Sequence, residues 1–442
     1  MMDFQILYDL DIFTHEADSS SVYERIHRFT LTTGGKEALQ RRMRHPFFDY
    51  EYVCRAQQTI LFCMQRLDEW KTSFHPQEIK YIEEYFHSNI TPLDPQAGWW
   101  ARVWYIMRYG ADYAFIEGSI RRLGAFIGKL LHFVRMHAHH HAAETLDDLH
   151  RVCSTLYADE SKGWLARAGN SDLNSNQLFY LDYFIRSVHR KEFQFILDGF
   201  YELDAWFAMA QATVEYRLVM PHISSPGEPL EIKGLYHLFL PHAVRNDLYM
   251  SNRHHLIFLT GPNMAGKSTF LKAAGICVYL AHLGMGVPAE SASVPVFDDL
   301  FTDIYITDKI EEGYSYFFNE VRRIRQLAEQ MRAGKRMFVL IDEMFRGTNV
   351  QDAFDCSLAV IERLGAFRNT YILFASHLVE LAHALEKKSD IRFYYFDATV
   401  ENQQPRFSYQ KKEGISELRL GKLILEQQQV LKLLSLGQDT TG

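Results

Sequence analysis

Apolar and polar positions alternate in two different ways along the 442 residues. Up to about residue 217, apolar residues recur every three or four positions, the spacing of amphipathic helices. Helices are predicted over 21–29, 35–44 (stopped by Pro46), 50–71, 77–87, 101–137, 143–156 and 177–217. The last is longer than an ordinary globular helix. It is expected to be one long arm or two helices broken near Gly199. Beyond residue 230 the pattern becomes short unbroken apolar runs separated by helical stretches. Residues 256–259, 337–341 and 370–375 read as buried strands, and 270–283 and 352–364 as helices. Residues 391–400 and 406–411 read as an antiparallel pair around Asn402-Gln403-Gln404-Pro405. Strands alternating with helices predict a mostly parallel sheet with helices on its faces. Between the two regimes, Pro221, Ser224-Ser225-Pro226-Gly227 and Pro229 read as a breaker-rich linker. The expected organisation is an all-α region over 1–221, a linker over 222–230 and an α/β domain over 231–442. A leucine-rich stretch over 418–436 is expected to be a helix that closes the α/β core or packs on a partner.

Composition supports this division. With 47% apolar residues, the chain can bury two or three cores. All six tryptophans precede residue 207. The net charge of −8 excludes a globally basic nucleic-acid binder, and neither half is a cationic block: residues 1–235 hold 24 basic and 31 acidic residues, residues 236–442 hold 23 and 24. Contact with DNA would need local patches. Arg41-Arg42-Arg44 and Arg121-Arg122 are the candidates, with a solvated helix face as the simpler reading. The five cysteines lack Cys-x-x-Cys spacing, which favours reduced thiols over zinc or disulfides. No signal-peptide pattern opens the chain, so a cytoplasmic location is expected. The aromatic-rich stretch 99–134 is interrupted by Arg102, Arg108, Asp112, Glu117, Arg121, Arg122 and Lys129. A spanning helix would not tolerate these charges, so buried helices away from any membrane are expected. His137, His139, His140 and His141 form a cluster. Adjacent histidines point in different directions on a helix, so a solvated helix end is a better reading than a metal site.

Candidate chemistry lies in the second region. Gly261-Pro262-Asn263-Met264-Ala265-Gly266-Lys267-Ser268 has the form G-x-x-x-x-G-K-[ST], is followed by Thr269, and sits between a predicted strand and a predicted helix. Glycines at such a turn let backbone N–H groups close around phosphates at a helix N-terminus. Lys267 adds a cation, and the Ser268 hydroxyl can hold Mg²⁺. About 75 residues later an apolar run ends at Asp342, a carboxylate suited to Mg²⁺ held directly or through water. Glu343 follows and can activate water. His377 ends the next predicted strand, where it can reach a γ-phosphate or that water. In an α/β sheet all three positions fall at strand C-terminal ends.

Four stretches together resemble the MutS family of DNA mismatch repair ATPases, within the wider ABC ATPase class: TGPNMAGKST at 260–269, GMGVPAESA at 284–292, DEMFRGTNVQD at 342–352 and FASHLVEL at 374–381. GYSYFFNE at 313–320 is similar to that family's signature G-x-S-T-F-M-x-E, with Tyr316 and Phe318 in place of its threonine and methionine. Ser376 stands where the family has threonine, and Ala353 where it has glycine. Gly234-Leu235-Tyr236-His237-Leu238 departs from the usual Arg-His-Pro. The resemblance implies ATP and Mg²⁺ as cofactors, with Asn263 beside the γ-phosphate. It also implies a homodimer with composite ATP sites, in which Ser315 acts in trans and residues 346–349 lie at the dimer face. Residues 31–59 and 201–221 resemble the start and the return of that family's core-lever region. The expectation is a short form lacking the mismatch-reading and connector domains, with a reduced clamp. It would couple ATP-driven closure to DNA binding in repair or recombination, with repair proteins as further partners. The alternatives are a nucleotide-switched scaffold that binds protein, and a transporter's ATPase subunit.

Overall fold

The computed structural model describes residues 3–14, 21–137, 144–160, 163–169, 173–304, 316–401, 404–418, 425–427 and 429–435. The chain folds as two compact units. One joins Met1–Val22 and Arg44–Cys54 to Tyr216–Gly442, and the other joins Tyr23–Met43 to Arg55–Glu215. The expected all-α region over 1–221 is therefore not one continuous piece: two of its segments belong to the α/β unit. Specific contacts hold them there. The Asp9 carboxylate accepts the Ile304 N–H at 3.0 Å. Asp11 pairs with the buried Lys272 at 2.7 Å. Leu10 fills the space that a side chain at Gly275 would need, since a Cβ there would lie 2.3 Å from Leu10 Cδ2. The Phe47 N–H donates to the His282 carbonyl at 3.1 Å.

The strands are β1 (His222–Ser224), β2 (Leu230–Leu235), β3 (Asn246–Met250), β4 (Leu256–Thr260), β5 (Ser291–Pro295), β6 (Asp299–Asp303), β7 (Met337–Asp342), β8 (Tyr371–Ala375), β9 (Ile391–Glu401) and β10 (Gln404–Glu413). A six-stranded sheet runs β10-β9-β4-β8-β7-β6, parallel throughout except for the β10–β9 pair. The mixed α/β class and the mostly parallel sheet are as the apolar runs predicted. Every residue of β4, β7 and β8 is buried, as expected of strands covered on both faces. A smaller sheet runs β1-β5-β2-β3. It corrects the predicted linker: residues 222–224 pair in parallel with β5, and only 225–228 turn, through Gly227 at φ +90°. The prolines and serines there punctuate a sheet rather than separate two domains. The predicted C-terminal helix over 418–436 is described only in part: 425–427 and Val430–Ser435 are helical and Leu418 is not. Positions 419–424, 428 and 436 fall outside the described residues.

All elements of the other unit are helices among the described residues. Its core stacks aromatic rings: Trp70 lies flat on Phe207 with centroids 4.1 Å apart and on Phe200 at 5.0 Å, edged by Phe74, Phe126 and Phe133. The predicted 177–217 arm is two helices, Ser175–Tyr183 and Arg190–Glu215, joined by a π turn at Phe184–Val188. The break is not at Gly199, which lies within the second helix and lets Leu149 pack close: a Cβ there would lie 2.7 Å from its side chain. At the true break, the fully buried Asp182 accepts the Tyr85 hydroxyl at 2.6 Å, the Leu93 N–H at 2.7 Å, and both Nε and an Nη of Arg186. That network supports the backbone where the i→i−4 ladder is interrupted.

A second buried carboxylate anchors the helix Thr33–Arg44. Asp204 accepts the N–H of Leu31 at 2.9 Å and the N–H and hydroxyl of Thr32 at 2.9 and 2.7 Å. Burial raises its pKa to about 6, against the pull of those donors. Asp204→Ala would leave donors buried without an acceptor, so it should cost about 3 kcal/mol. Urea unfolding followed by circular dichroism checks this.

Three arginines of the candidate basic patches are paired with carboxylates. The half-buried Arg42 and the exposed Arg41 share Glu202, Arg42 also covers the Trp206 ring at 3.7 Å, and Arg121 pairs with Glu117 at 2.7 Å. Of the histidine cluster only His137 is described, and it packs against Glu69 and Arg66 at 3.1 Å each. Among the described residues no helix is long and apolar enough to cross a membrane.

Candidate functional site

The site is built on the turn between β4 and the helix Lys267–His282. Gly261 (φ +134°) and Gly266 (φ +109°) adopt backbone conformations that side chains disfavour. Both glycines are also crowded: a Cβ on Gly261 would lie 3.3 Å from the Phe396 carbonyl, and one on Gly266 would lie 3.4 Å from the Tyr409 ring. Met264, at φ +68°, is 73% exposed at the crest of the loop. Lys267 is buried beneath the loop and donates to the carbonyls of Gly261 at 2.8 Å and Pro262 at 3.2 Å. Burial lowers its pKa, opposed by the charges of Asp342 and Glu343.

Strand register brings the acids to this turn. β4 pairs with β8, and β8 with β7, so that Asp342 stands beside Ala375 and the ends of all three strands meet. The Glu343 N–H donates to the Ala375 carbonyl at 2.9 Å, and the Ser376 N–H to the Leu259 carbonyl at 3.0 Å. The Ser268 hydroxyl hydrogen-bonds the Asp342 carboxylate directly. Burial raises the Asp342 pKa, while that bond and the Arg346 charge oppose the rise. A hydroxyl and a buried carboxylate aimed at one point are hard oxygen donors that suit Mg²⁺, which takes few protein ligands and completes its shell with water and phosphate. Among the described residues no cluster of three or more His, Cys, Asp or Glu forms an all-protein metal cage.

Glu343 has a separate environment. One of its oxygens meets His377 Nδ1 at 2.7 Å and the other lies 3.5 Å from Arg346 Nε. Burial would raise its pKa, but the His377 hydrogen bond and the charges of His377, Arg346 and Lys267 hold it below the usual carboxylate value. The same hydrogen bond raises the pKa of His377. Glu343 and Phe345 both have positive φ (+64° and +59°), a strained path for non-glycine residues that recurs at functional sites. Glu320 holds this path: its buried carboxylate accepts the N–H groups of Arg346 at 3.0 Å and Gly347 at 3.3 Å.

A cavity of about 790 Å³ opens over the turn, lined by Asn263, Met264, Gly266, Lys267, Ser268, Thr269, Asp342 and Glu343. Ala265 is buried beneath the turn, and His377 reaches the cavity through its bond to Glu343. Ser315 lies outside the described residues. The opposite wall was legible only in part: Tyr236 and His237 lie in the stretch 234–238 that stands at the family's Arg-His-Pro position, and its other residues carry no such signal. It comprises Tyr236, His237, Asn246, Phe396 and Tyr409, drawn from the smaller sheet and the β9–β10 pair. Asn246 ties the two together, donating to the Tyr409 carbonyl at 3.0 Å and accepting the Lys411 N–H at 2.7 Å. Its only sequence signal is the turn-rich stretch before β3, which points to a loop and not to a ligand. The cavity therefore offers a cation and a helix N-terminus to an anion, a hard-oxygen pair to a divalent cation, and a carboxylate–imidazole pair to water.

Residues 257–431 match MutS domain V. The chain is 33% identical over 223 residues to the DNA mismatch repair protein MutS of Persephonella marina, covering 50% of this chain and 25% of that protein. It is 39% identical over 183 residues to the protein of the same name from Thermus aquaticus (41% and 22%). Against that of Thermotoga maritima it is 30% identical over 237 residues (53% and 29%). The chain thus spans between a fifth and a third of the length of these relatives. The matched residues are thus similar to one domain of these relatives.

Proposed function

We propose that the chain is a MutS-like ATPase that binds ATP with Mg²⁺ over Gly261–Ser268 and hydrolyses it to ADP and phosphate. The observation that carries this reading is the convergence of Lys267, Ser268, Asp342 and Glu343 on one cavity. The turn 261–266, of P-loop type, cradles the phosphates, with Asn263 at the γ-phosphate and Lys267 neutralising charge. Ser268 and Asp342 would hold Mg²⁺, which would supply positive charge beside the phosphates. Glu343 orients the attacking water and accepts its proton. His377 donates from Nδ1 to Glu343 and from Nε2 to the γ-phosphate, which requires the protonated ring, since neutral imidazole has one N–H. The hydrogen bond to Glu343 raises the ring's pKa and so favours that protonated form. Turnover should therefore be sustained below about pH 6.5 and fall as pH rises through the raised His377 value. A pH profile of phosphate release for the wild type and His377→Ala checks this, with the variant losing the alkaline limb.

The likeness to MutS also supports a homodimer with composite sites, in which Ser315 of one copy reaches the nucleotide of the other. It supports coupling of ATP-driven closure to DNA in repair, within an ABC-type ATPase. DNA affinity that falls steeply with salt and changes with ATP is the expected result. No binding to any duplex or branched DNA at low salt would leave the second reading, a nucleotide-switched scaffold for protein partners. The pairing of Arg41, Arg42 and Arg121 with carboxylates favours that alternative.

A further inference from the structure

Glu343 and Phe345 run at φ +64° and +59°, with the buried Met344 between them. Left-handed non-glycine residues persist only where their surroundings over-determine the backbone. Here the surroundings come from another element. The helix Tyr316–Arg332 meets the turn at two points. The Phe317 and Phe345 rings pack with centroids 5.6 Å apart. One helical turn further on, the Glu320 carboxylate spreads its two oxygens over consecutive backbone donors. Oε1 accepts the Arg346 N–H at 3.0 Å and Oε2 the Gly347 N–H at 3.3 Å. Glu320 is 3% exposed. The helix is itself fixed to the end of β6: Arg323 donates to the Thr302 carbonyl at 2.5 Å, and its Nε lies 3.3 Å from Asp303. From the far side of the turn Arg346 returns to the site, its Nε 3.5 Å from one Glu343 oxygen while His377 Nδ1 meets the other at 2.7 Å.

We propose that Glu320 is a positioning residue for ATP hydrolysis: it holds the turn 343–347 so that the Glu343 carboxylate stays between His377 and Arg346, facing the attacking water. The likeness of 313–320 to a signature segment concerns Ser315 acting on the other copy, whereas Glu320 of the same segment acts within its own chain. A helix-capping role does not account for it. The next helix, Val350–Leu364, has its own cap in Asn349, whose side chain accepts the Asp352 N–H at 3.0 Å. The donors that Glu320 takes are instead the first amides after the two left-handed residues. Hydrogen bonds to an ionised acceptor are about twice as strong as neutral ones, and two of them to adjacent peptides fix direction as well as position.

The kinetic consequence rests on the ATPase reading, and the consequence for His377 does not. Glu320→Ala removes both acceptors, and Glu320→Gln keeps one. Single-turnover hydrolysis is expected to fall about 100-fold in Glu320→Ala, the cost of displacing a reacting group by about 1 Å. It should fall less in Glu320→Gln, and affinity for a slowly hydrolysed ATP analogue should stay within a few-fold of wild type in both. In the nucleotide-free chain, the His377 titration, read by NMR and assigned against His377→Ala, should move down from its raised midpoint toward the ordinary histidine range. Glu320→Ala should move it most, because the Glu343 bond that raises it is loosened. A purely structural role would lower thermal unfolding without moving His377 or separating turnover from affinity. An unchanged His377 midpoint in both variants, unchanged turnover in Glu320→Ala, or turnover and affinity falling together would overturn the proposal. Should Glu320→Ala fail to fold, the near-isosteric Glu320→Gln decides by the same readouts. A wild-type chain that hydrolyses no ATP would refute the ATPase reading, and the His377 titration would still decide whether Glu320 positions Glu343.

Discussion

Lys267→Met is expected to weaken ATP binding by at least about 100-fold. The ammonium is buried, held under the turn by two carbonyls, and flanked by Asp342 and Glu343. A bound triphosphate would take over the ammonium's hydrogen bonds. Charge-assisted hydrogen bonds of this kind contribute about 1.5–3 kcal/mol each, so one lost contact at the upper end already gives a factor of 100. Without Lys267, the phosphates would also face two carboxylates with less compensating charge. The methionine side chain keeps the volume and removes a charge that burial disfavours, so thermal unfolding of the variant should stay close to wild type. Equilibrium titration with a fluorescent ATP analogue reads the effect. Affinity within a few-fold of wild type would remove Lys267 from the site.

Glu343→Gln should separate binding from chemistry. Turnover is expected to fall about 100- to 1000-fold, the usual contribution of a positioned base, with ATP affinity within a few-fold of wild type. The substitution is well isolated. Glutamine is as strained as glutamate at φ +64°, so the backbone path through 343–345 has no reason to relax. Its carbonyl oxygen can still accept from His377 Nδ1, which keeps the 2.7 Å contact. What is lost is the carboxylate whose low pKa keeps it ionised near neutrality. Single-turnover phosphate release beside equilibrium binding distinguishes the two effects. A variant that turns over normally would show that the water is activated elsewhere.

How much of this was legible beforehand follows a physical pattern. The strands β4, β7 and β8 were visible because each is a continuous apolar run, the mark of a strand buried on both faces. Their C-terminal ends then located Gly261, Asp342, Glu343 and His377 on one rim, since parallel strands place like ends together. The failures come from contacts between residues distant in sequence. Nothing local in residues 3–14 says that Asp9 and Asp11 hold Ile304 and Lys272, so those residues were assigned to the wrong unit. Gly199 looked like a helix breaker, but its missing side chain admits Leu149. The actual break depends on a buried Asp182–Arg186 pair whose partners are about 90 residues away. Pro221 to Pro229 read as a linker because breaker residues also serve short sheet turns. The cavity wall at Asn246, Phe396 and Tyr409 carries no motif, because its residues come from three separate strands.

The most direct test of the central claim is calorimetric titration of the full chain with a slowly hydrolysed ATP analogue, with and without Mg²⁺. Saturable binding is expected at one site per chain, strengthened by Mg²⁺ and lost in Lys267→Met. Absence of saturable binding to the wild-type chain, or binding that Lys267→Met leaves unchanged, would contradict that claim.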